Sequence, residues 1–375
     1  MSDTHRRYCA IKTALRQVIA VNANSHGEKH LNTLAGLVCG IVGSRHSQLP
    51  KIADHAPSGG ACRESRLKRF KRWVMQDSVT YETYYLPFAQ ALLWALARQP
   101  WVLVMDGSTV GRGCLALLLS VVYQRRALPL AWVVVQGVKG HFPEDTHCRL
   151  VGQVQPLLPP EATVIFVGDG EFDGTTLQAT LHGYGWHYVC RTAASTLVWL
   201  GDFAVHFRQL PVTCGEGIEV PTTRVTAKAY GPVQALAVWE VGELETLYLV
   251  TTLSDPQAAV NWYRHRFRIE TFFADQKSRG FQIDTSHLTD PARLARLLIA
   301  TCLAYLWIVY LGTVAIEDGW LPVLQRATRC DLSLFQVGLT FLAHCLNEDL
   351  PILVDFLPSL GGLLDPFQSP IFSVR

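Results

Sequence analysis

The chain has 375 residues, of which 49% are hydrophobic and 17% are charged. This length and composition are typical of a globular protein with a substantial core, and they exclude a disordered or fibrous chain. The net charge of +2 at pH 7 is too small to identify a polyanionic partner by itself. The ten cysteines form no C-x2-C pair and no Cys/His cluster at zinc spacing, which predicts free thiols in a reducing compartment.

Residues 1–95 are predicted to form a helical domain. Apolar positions recur at helical spacing in two stretches, 31–42 and 67–97, separated by a polar break. A basic run around Phe70 and Trp73 opens the second stretch, and its cations are Arg63, Arg66, Lys68, Arg69, Lys71 and Arg72. A local basic patch with interleaved aromatic residues predicts a DNA-binding segment, and the alternative is a solvated helix face.

Short apolar runs rich in β-branched residues begin at Trp101. Three of them predict an antiparallel meander with short turns, at 101–110, 114–123 and 127–135. Helices and strands are then predicted to alternate, at 144–157, 163–170, 174–181 and 186–192. This β-β-β-α-β-α-β order predicts the α/β fold class, as a ribonuclease-H-like mixed sheet flanked by helices. Its core is assigned to 96–192 and 254–320.

Three further segments complete the organisation. Residues 193–253 contain strands with polar alternation and are predicted to be a β-rich insertion before the last helix of the candidate site. Residues 321–375 are predicted to be a C-terminal helical region, with an amphipathic helix at 332–348. The segment 297–316 holds 20 uncharged, mostly apolar residues, a length that would also span a membrane. Because no second segment of this kind occurs, burial inside the protein is favoured.

Two aspartates lie at the carboxyl ends of predicted strands. Asp106 ends the first strand and Asp169 ends the fourth, and these strands are neighbours in the proposed topology. Like charges this close repel each other unless a divalent cation lies between them, so the pair indicates a metal site. The alternative is that each is an ordinary turn residue, because Asp is common where a strand enters a turn. Glu171 and Asp173 follow Asp169 closely, and they are interpreted as loop and helix-capping groups, with a role as substitute ligands as the alternative.

A third carboxylate, Glu270, falls on a helix that is predicted to start at Pro256 and to continue to Lys277. At about 100° per residue, Tyr263, Arg266, Glu270 and Lys277 share one stripe of this helix. The stripe predicts a metal-holding carboxylate beside groups that grip phosphate. The alternative is a solvated face with an ordinary Arg266–Glu270 pair. Three carboxylates specify a hard cation, Mg²⁺ or Mn²⁺, and two such ions suit phosphodiester chemistry.

These residues resemble a known family. Asp106, Asp169 and Glu270 look like the DDE triad of bacterial insertion-sequence transposases. The helix matches the family-four signature Y-x2-R-x3-E-x6-K at Tyr263, Arg266, Glu270 and Lys277, and the segment HRFRIETFF is similar to the corresponding helix of the transposon-five transposase. The resemblance implies cut-and-paste transposition, with nicking at terminal inverted repeats, formation and opening of a hairpin, and strand transfer into target DNA.

The resemblance also assigns roles and partners. It implies that Asp106, Asp169 and Glu270 bind the metal ions, and that Tyr263, Arg266 and Lys277 hold the DNA backbone. It implies double-stranded DNA as partner, a homodimer in a synaptic complex, no membrane, and a cytoplasmic, nucleoid-associated protein.

The hairpin step in relatives uses an aromatic residue of the insertion to stack a flipped base. Tyr248 and Trp239 are the candidates for this role, and a buried strand aromatic is the alternative. For the whole chain, the alternatives are a ribonuclease-H-like nuclease or resolvase and a catalytically inactive DNA-binding relative.

Overall fold

The structure is a computed structural model that describes residues 2–19, 25–96, 100–137, 141–325 and 332–357. The predicted C-terminal helical region therefore lies partly outside the described residues. Before the first strand, the described chain forms six helices: α1 Asp3–Val18, α2 Ser25–Ser44, α3 Leu49–Asp54, α4 Arg63–Met75, α5 Tyr81–Tyr84 and α6 Leu86–Ala95.

One mixed sheet organises the rest of the molecule. Its strands are β1 Trp101–Thr109, β2 Cys114–Tyr123, β3 Arg126–Gln136, β4 Val164–Gly168, β5 His187–Arg191, β6 Leu197–Leu200, β7 Phe203–His206, β8 Gly217–Val225, β9 Tyr230–Val238 and β10 Leu247–Thr251. The strand order is β3-β2-β1-β4-β5-β10-β9-β8-β6-β7. The first three strands are antiparallel, whereas β1, β4 and β5 run parallel to one another. The predicted meander, the pairing of the first and fourth strands, and the ribonuclease-H-like α/β fold class are confirmed.

Seven further helices occur in the described chain: α7 Glu144–Val154, α8 Thr175–Gly183, α9 Pro256–Tyr263, α10 Arg268–Gln276, α11 Pro291–Glu317, α12 Leu321–Leu324 and α13 Leu334–Asn347.

Successive side chains of a strand point to opposite faces of the sheet. On β1, Ser108 contacts Lys277 at the end of α10, whereas the opposite face at Gly107 lies against Phe142, just before α7. Helices therefore cover both faces at this strand.

The β-rich insertion is confirmed, and it extends the same sheet. Strand β10 pairs antiparallel with β5, with Val250 opposite Cys190, and β9, β8, β6 and β7 follow outward. This pairing covers the edge that β5 would otherwise expose. Because β10 lies beside β5, the chain leaves the insertion directly into α9, which packs on β4 and β5.

The long apolar segment forms α11, a helix of 27 residues. It begins at an Asp290 cap, whose carboxylate accepts a hydrogen bond from the backbone N–H of Arg293. Among the described residues it is the one helix long and apolar enough to cross a membrane, and 94% of its most apolar window is buried inside the protein. It packs against α2, α4, α13 and β3, so the N-terminal helices and the sheet share one core. The predicted burial is confirmed.

The prediction of one continuous helix from Pro256 to Lys277 is wrong. Helix α9 ends at Tyr263, residues 264–267 form a 3-10 turn, and α10 starts at Arg268. A 3-10 turn rotates about 120° per residue instead of 100°, so the angles that defined the predicted stripe change at the break. Arg266 and Glu270 remain neighbours because four residues still span about one turn.

The contact between α11 and α13 depends on a glycine, and this gives a test of the packing. A Cβ at Gly338 would lie 1.9 Å from the carbonyl oxygen of Ile308. Gly338→Ala should lower the urea midpoint of unfolding, because over-packing of this kind costs ~1–3 kcal/mol. The matched control is Gly183→Ala on α8, where nothing lies within 4 Å. It should leave the midpoint unchanged or slightly higher. A wild-type midpoint for Gly338→Ala would contradict the close approach.

Candidate active site

The first two predicted carboxylates are brought together by strand register. Strands β1 and β4 pair in parallel with Val104 opposite Val167, so Asp106 and Asp169, each two residues further on, are level with each other. Adjacent strands are about 5 Å apart. Burial, and then the negative charge of Asp169, raise the pKa of Asp106 to about 6. The Asp106 carboxylate also accepts a hydrogen bond of 2.7 Å from the backbone N–H of Gly107.

The loop after β4 is held by its own carboxylates. The backbone N–H of Glu171 donates to Asp169 at 2.9 Å. The Glu171 carboxylate accepts from the backbone N–H of Phe142 at 2.7 Å and lies 3.5 Å from Nε2 of the buried His147. Asp173 accepts from the Thr192 hydroxyl at 2.6 Å. Glu171 and Asp173 therefore make hydrogen bonds that hold the loops around Asp169.

Arg266 joins the second carboxylate to the third. Its guanidinium lies 2.7 Å from the carboxylate of Glu270 and 3.4 Å from that of Asp169. The side chain of Arg266 is only 13% exposed and its charge lies 4.5 Å from the ring centre of Phe267. The Glu270 side chain is 49% exposed, so its pairing with Arg266 is partly solvated, and it is the contact of Arg266 with Asp169 that joins the pair to the carboxylates of the strands.

The other two signature residues lie on either side of this pair. Tyr263 is 6% exposed, and burial raises the pKa of its phenol. Lys277 lies at the far end of α10, where its ammonium donates to the Ser108 hydroxyl at 2.6 Å. The sequence analysis did not single out Ser108, although its spacing of two residues from Asp106 places both side chains on one face of β1.

The basic run lies on α4, away from these strands in sequence and packed on α2, α3 and α11. Arg66 donates to the carbonyls of Ala53 and Ala61, and Arg63 pairs with Asp54, so both guanidinium groups support the helical fold. The remaining four cations are exposed: Lys68, Arg69, Lys71 and Arg72. Their binding to DNA stays a prediction.

The two candidate aromatic residues line different cavities. Tyr248 lines a cavity of about 700 Å³ whose wall also includes Asp169, Arg191 and Arg266. Its half-buried ring packs against Phe207, with centres 5.4 Å apart. Trp239 lines a separate cavity of about 550 Å³, and its indole N–H donates to the carbonyl of Glu243. Of the two, Tyr248 is the one that shares a cavity with a residue of the candidate triad, Asp169.

Comparison with known families agrees with this geometry. The model of the family described as "Transposase DDE domain" matches residues 102–307, more than half of the chain. The chain belongs to the DDE transposase family. A member of this family is a nuclease and transesterase acting in transposition, and such enzymes generally use divalent metal ions.

A solved structure also resembles this transposase. The cryo-EM structure of the piggyBac transposase in a synaptic complex with hairpin DNA matches with a TM-score of 0.50 and 11% sequence identity, over 95% of this chain and 84% of that chain. At this identity the likeness shows the fold alone. No curated protein sequence matches the chain.

The donor set of this transposase fits a hard divalent cation in its chemistry. Asp106, Asp169 and Glu270 offer only carboxylate oxygens, and the pKa of Asp106 is raised first by burial and then by the negative charge of Asp169, which a cation would offset. Within the described ranges, no group of three or more His, Cys, Asp or Glu side chains is arranged to hold a metal ion. Arg266 supplies positive charge between Asp169 and Glu270, so a cation shared by these two has to replace it there.

The raised pKa of Asp106 predicts a stability effect in the metal-free protein. A carboxyl group whose pKa is higher in the folded state binds its proton more tightly when folded, so its ionisation destabilises the fold as pH rises from about 4 to about 6. Asp106→Asn keeps the acceptor for Gly107 and removes the charge. In EDTA, its unfolding free energy should match wild type near pH 4 and exceed it above pH 6, by at most about 3 kcal/mol.

Urea unfolding at several pH values measures this difference. Asp202→Asn, on an exposed turn between β6 and β7, controls for the loss of any one carboxylate. A difference between Asp106→Asn and wild type that does not grow with pH would show that Asp106 carries no such penalty.

Proposed function

We propose that the chain is a cut-and-paste transposase of an insertion sequence, of the family-four subgroup that carries the Y-R-E-K signature. The observation that carries the proposal is the contact of Arg266 with both Asp169 and Glu270, next to the half-buried Asp106. This contact unites the predicted triad and the predicted phosphate-binding helix in one place. The Arg266–Glu270 pair alone is an ordinary i,i+4 pair, and the contact with Asp169 is what goes beyond it.

In this proposal Asp106, Asp169 and Glu270 hold Mg²⁺ or Mn²⁺, as two ions. When bound, the ions activate a water or a 3′-hydroxyl and stabilise the leaving oxygen. Hydrolysis at the element end leaves a 3′-hydroxyl and a 5′-phosphate. In strand transfer, the 3′-hydroxyl attacks a phosphodiester of the target and expels its 3′ oxygen, so one phosphodiester forms as another breaks.

The remaining signature residues bind the DNA. Arg266 would bind a backbone phosphate in place of its carboxylate partners, because its guanidinium can form paired hydrogen bonds with either group. Lys277 holds the backbone at the other end of α10. Tyr263 is largely buried, so its ring supports the turn that carries Arg266, and the small part that stays exposed contacts the DNA.

The surroundings of the site supply the other partners. The four exposed cations of α4 bind the terminal inverted repeat through its phosphates. Two ends must be cut and joined together, so we propose a homodimer that pairs them in a synaptic complex, acting in the bacterial cytoplasm on the nucleoid. Tyr248 stacks the flipped base during a hairpin step, since its cavity adjoins Asp169.

Cleavage of end DNA tests the proposal. With Mg²⁺ and a duplex carrying the inverted repeats that flank the gene, wild type should cut at the element end, and EDTA should abolish cutting. Asp169→Asn and Glu270→Gln should lower the cleavage rate by at least about 1,000-fold, since each removes a charged ligand from the site. Binding to the same DNA, measured by fluorescence anisotropy, should persist.

Glu82→Gln on α5, an exposed residue, is the matched control and should cut like wild type. Undiminished cutting by Glu270→Gln would refute the site. A wild-type chain that binds the ends and never cuts them would instead identify a catalytically inactive relative. Cutting without strand transfer would identify a ribonuclease-H-like nuclease.

The proposed role of Tyr248 makes a separate prediction. Tyr248→Ala should nick end DNA normally and form hairpins about tenfold or more slowly, because base–aromatic stacking contributes ~1–3 kcal/mol. Tyr248→Phe keeps the ring and should form hairpins near the wild-type rate. Fluorescence of 2-aminopurine at the terminal positions reports the flipped base, and denaturing gels separate nicked from hairpin products.

Trp239→Ala provides the matched control, because Trp239 lines the other cavity. It should leave both the fluorescence change and the hairpin rate unaffected. The reverse result, with hairpins lost in Trp239→Ala and kept in Tyr248→Ala, would transfer the role to Trp239.

A further inference from the structure

A basic and two hydroxyl side chains meet at the outer end of β1. The ammonium of Lys277 lies 2.6 Å from the Ser108 hydroxyl and 3.5 Å from that of Thr109. Thr109 is exposed, and Ser108 and Lys277 are half-buried. Strand β1 and helix α10 thus share a polar contact that bridges 169 positions of sequence.

This cluster has a fixed position relative to the carboxylates. Ser108 lies on the same face of β1 as Asp106, about 6–7 Å further along the strand. On α10, Lys277 follows Glu270 by seven residues, about two turns or 10 Å, and its backbone N–H still bonds to Phe273. The carboxylate site and the hydroxyl cluster are therefore two points on one rigid strand–helix pair.

The chemistry of the cluster suits a phosphate. Ammonium and hydroxyl groups are hydrogen-bond donors, and phosphate oxygens accept from both. A hydrogen bond between a lysine and a serine contributes little to folding, about 1 kcal/mol. Fold stability alone therefore gives little reason to place these three groups together beside the active site.

We infer that Lys277, Ser108 and Thr109 form a phosphate-binding site that sets the position of the DNA strand relative to Asp106. Each strand of duplex DNA rises about 3.4 Å per nucleotide, so the bound phosphate lies within about two nucleotides of the scissile one. This inference rests on the proposed function and adds Ser108 and Thr109 as positioning residues for the cleaved strand.

A scan of neutral phosphates tests it. End duplexes are made with one methylphosphonate at each position in turn, and their affinities for the full chain are measured in EDTA. For wild type, one substitution within two nucleotides of the cleavage point should weaken binding by about fivefold or more. Ser108→Ala should bind the unmodified end about threefold or more weakly than wild type does. It should lose little further affinity when the methylphosphonate is placed at that one position, because the contact is already missing. Thr109→Ala should show the same pattern more weakly, since its contact is longer.

Two variants make the result specific. Ser108→Thr keeps a hydroxyl and should restore the wild-type profile. Thr340→Ala removes a hydroxyl from α13 and should leave the profile unchanged at every position.

Failure of the inference is distinct from failure of the proposed function. If wild type binds the ends and the profile of Ser108→Ala stays parallel to that of wild type everywhere, the phosphate site is refuted and the transposase proposal stands. If wild type shows no preference for the ends, the proposed function is refuted, and this inference with it.

Discussion

The site depends on the repulsion between carboxylates that the sheet forces together. Parallel pairing of β1 with β4 places Asp106 level with Asp169, and neither side chain can move apart without breaking the register of buried strands. The charge has to be offset locally, because burial weakens the screening by water. Arg266 provides that offset by contacting Asp169 and Glu270 together. The position of α10 follows from this requirement.

Several separate parts of the fold place Arg266 and Glu270 next to strands β1 and β4. The insertion ends in β10, which pairs with β5 and releases the chain beside β4. The 3-10 turn then redirects it onto β1. Beyond the site, Asp275 of α10 forms a buried ion pair of 2.7 Å with Arg126 at the start of β3. Removing one partner of such a pair leaves an uncompensated buried charge, so this contact fixes the helix on the meander.

Sequence was sufficient for the features that local patterns encode. Apolar runs located the strands of the core, and their order gave the adjacency of Asp106 and Asp169. The predicted start of the helix at Pro256 is correct, and the Asp255 side chain caps α9 there. The break at residues 264–267 was missed because the segment RHRF contains neither proline nor glycine, the residues that mark helix interruptions. The candidate pair Arg266–Glu270 survived the error because its spacing is local.

Features that depend on tertiary contacts were out of reach. The pairing of β10 with β5 makes the insertion part of the central sheet. The sequence predicted both segments as strands, but it did not predict which strand each one pairs with. The neighbour of Lys277 could not be read from its helix, because Ser108 comes from a strand far away in sequence. The same limit applies to Tyr248 and Trp239, two strand aromatics of the insertion that sequence did not separate. Their cavities distinguish them, since only the cavity of Tyr248 among these two includes Asp169.

In the proposed function, Arg266 serves two binding partners in turn, the carboxylates and the DNA. A guanidinium that is 13% exposed and stacked on Phe267 has little freedom to leave the site, yet its bond to Asp169 is long at 3.4 Å. In the proposed function, cations held by the carboxylates would weaken the attraction that holds Arg266 there. Two oxygens of a backbone phosphate would then accept from the guanidinium as a carboxylate does. The positive charge of Arg266 would thus stay at the site, first beside the carboxylates and then beside the DNA.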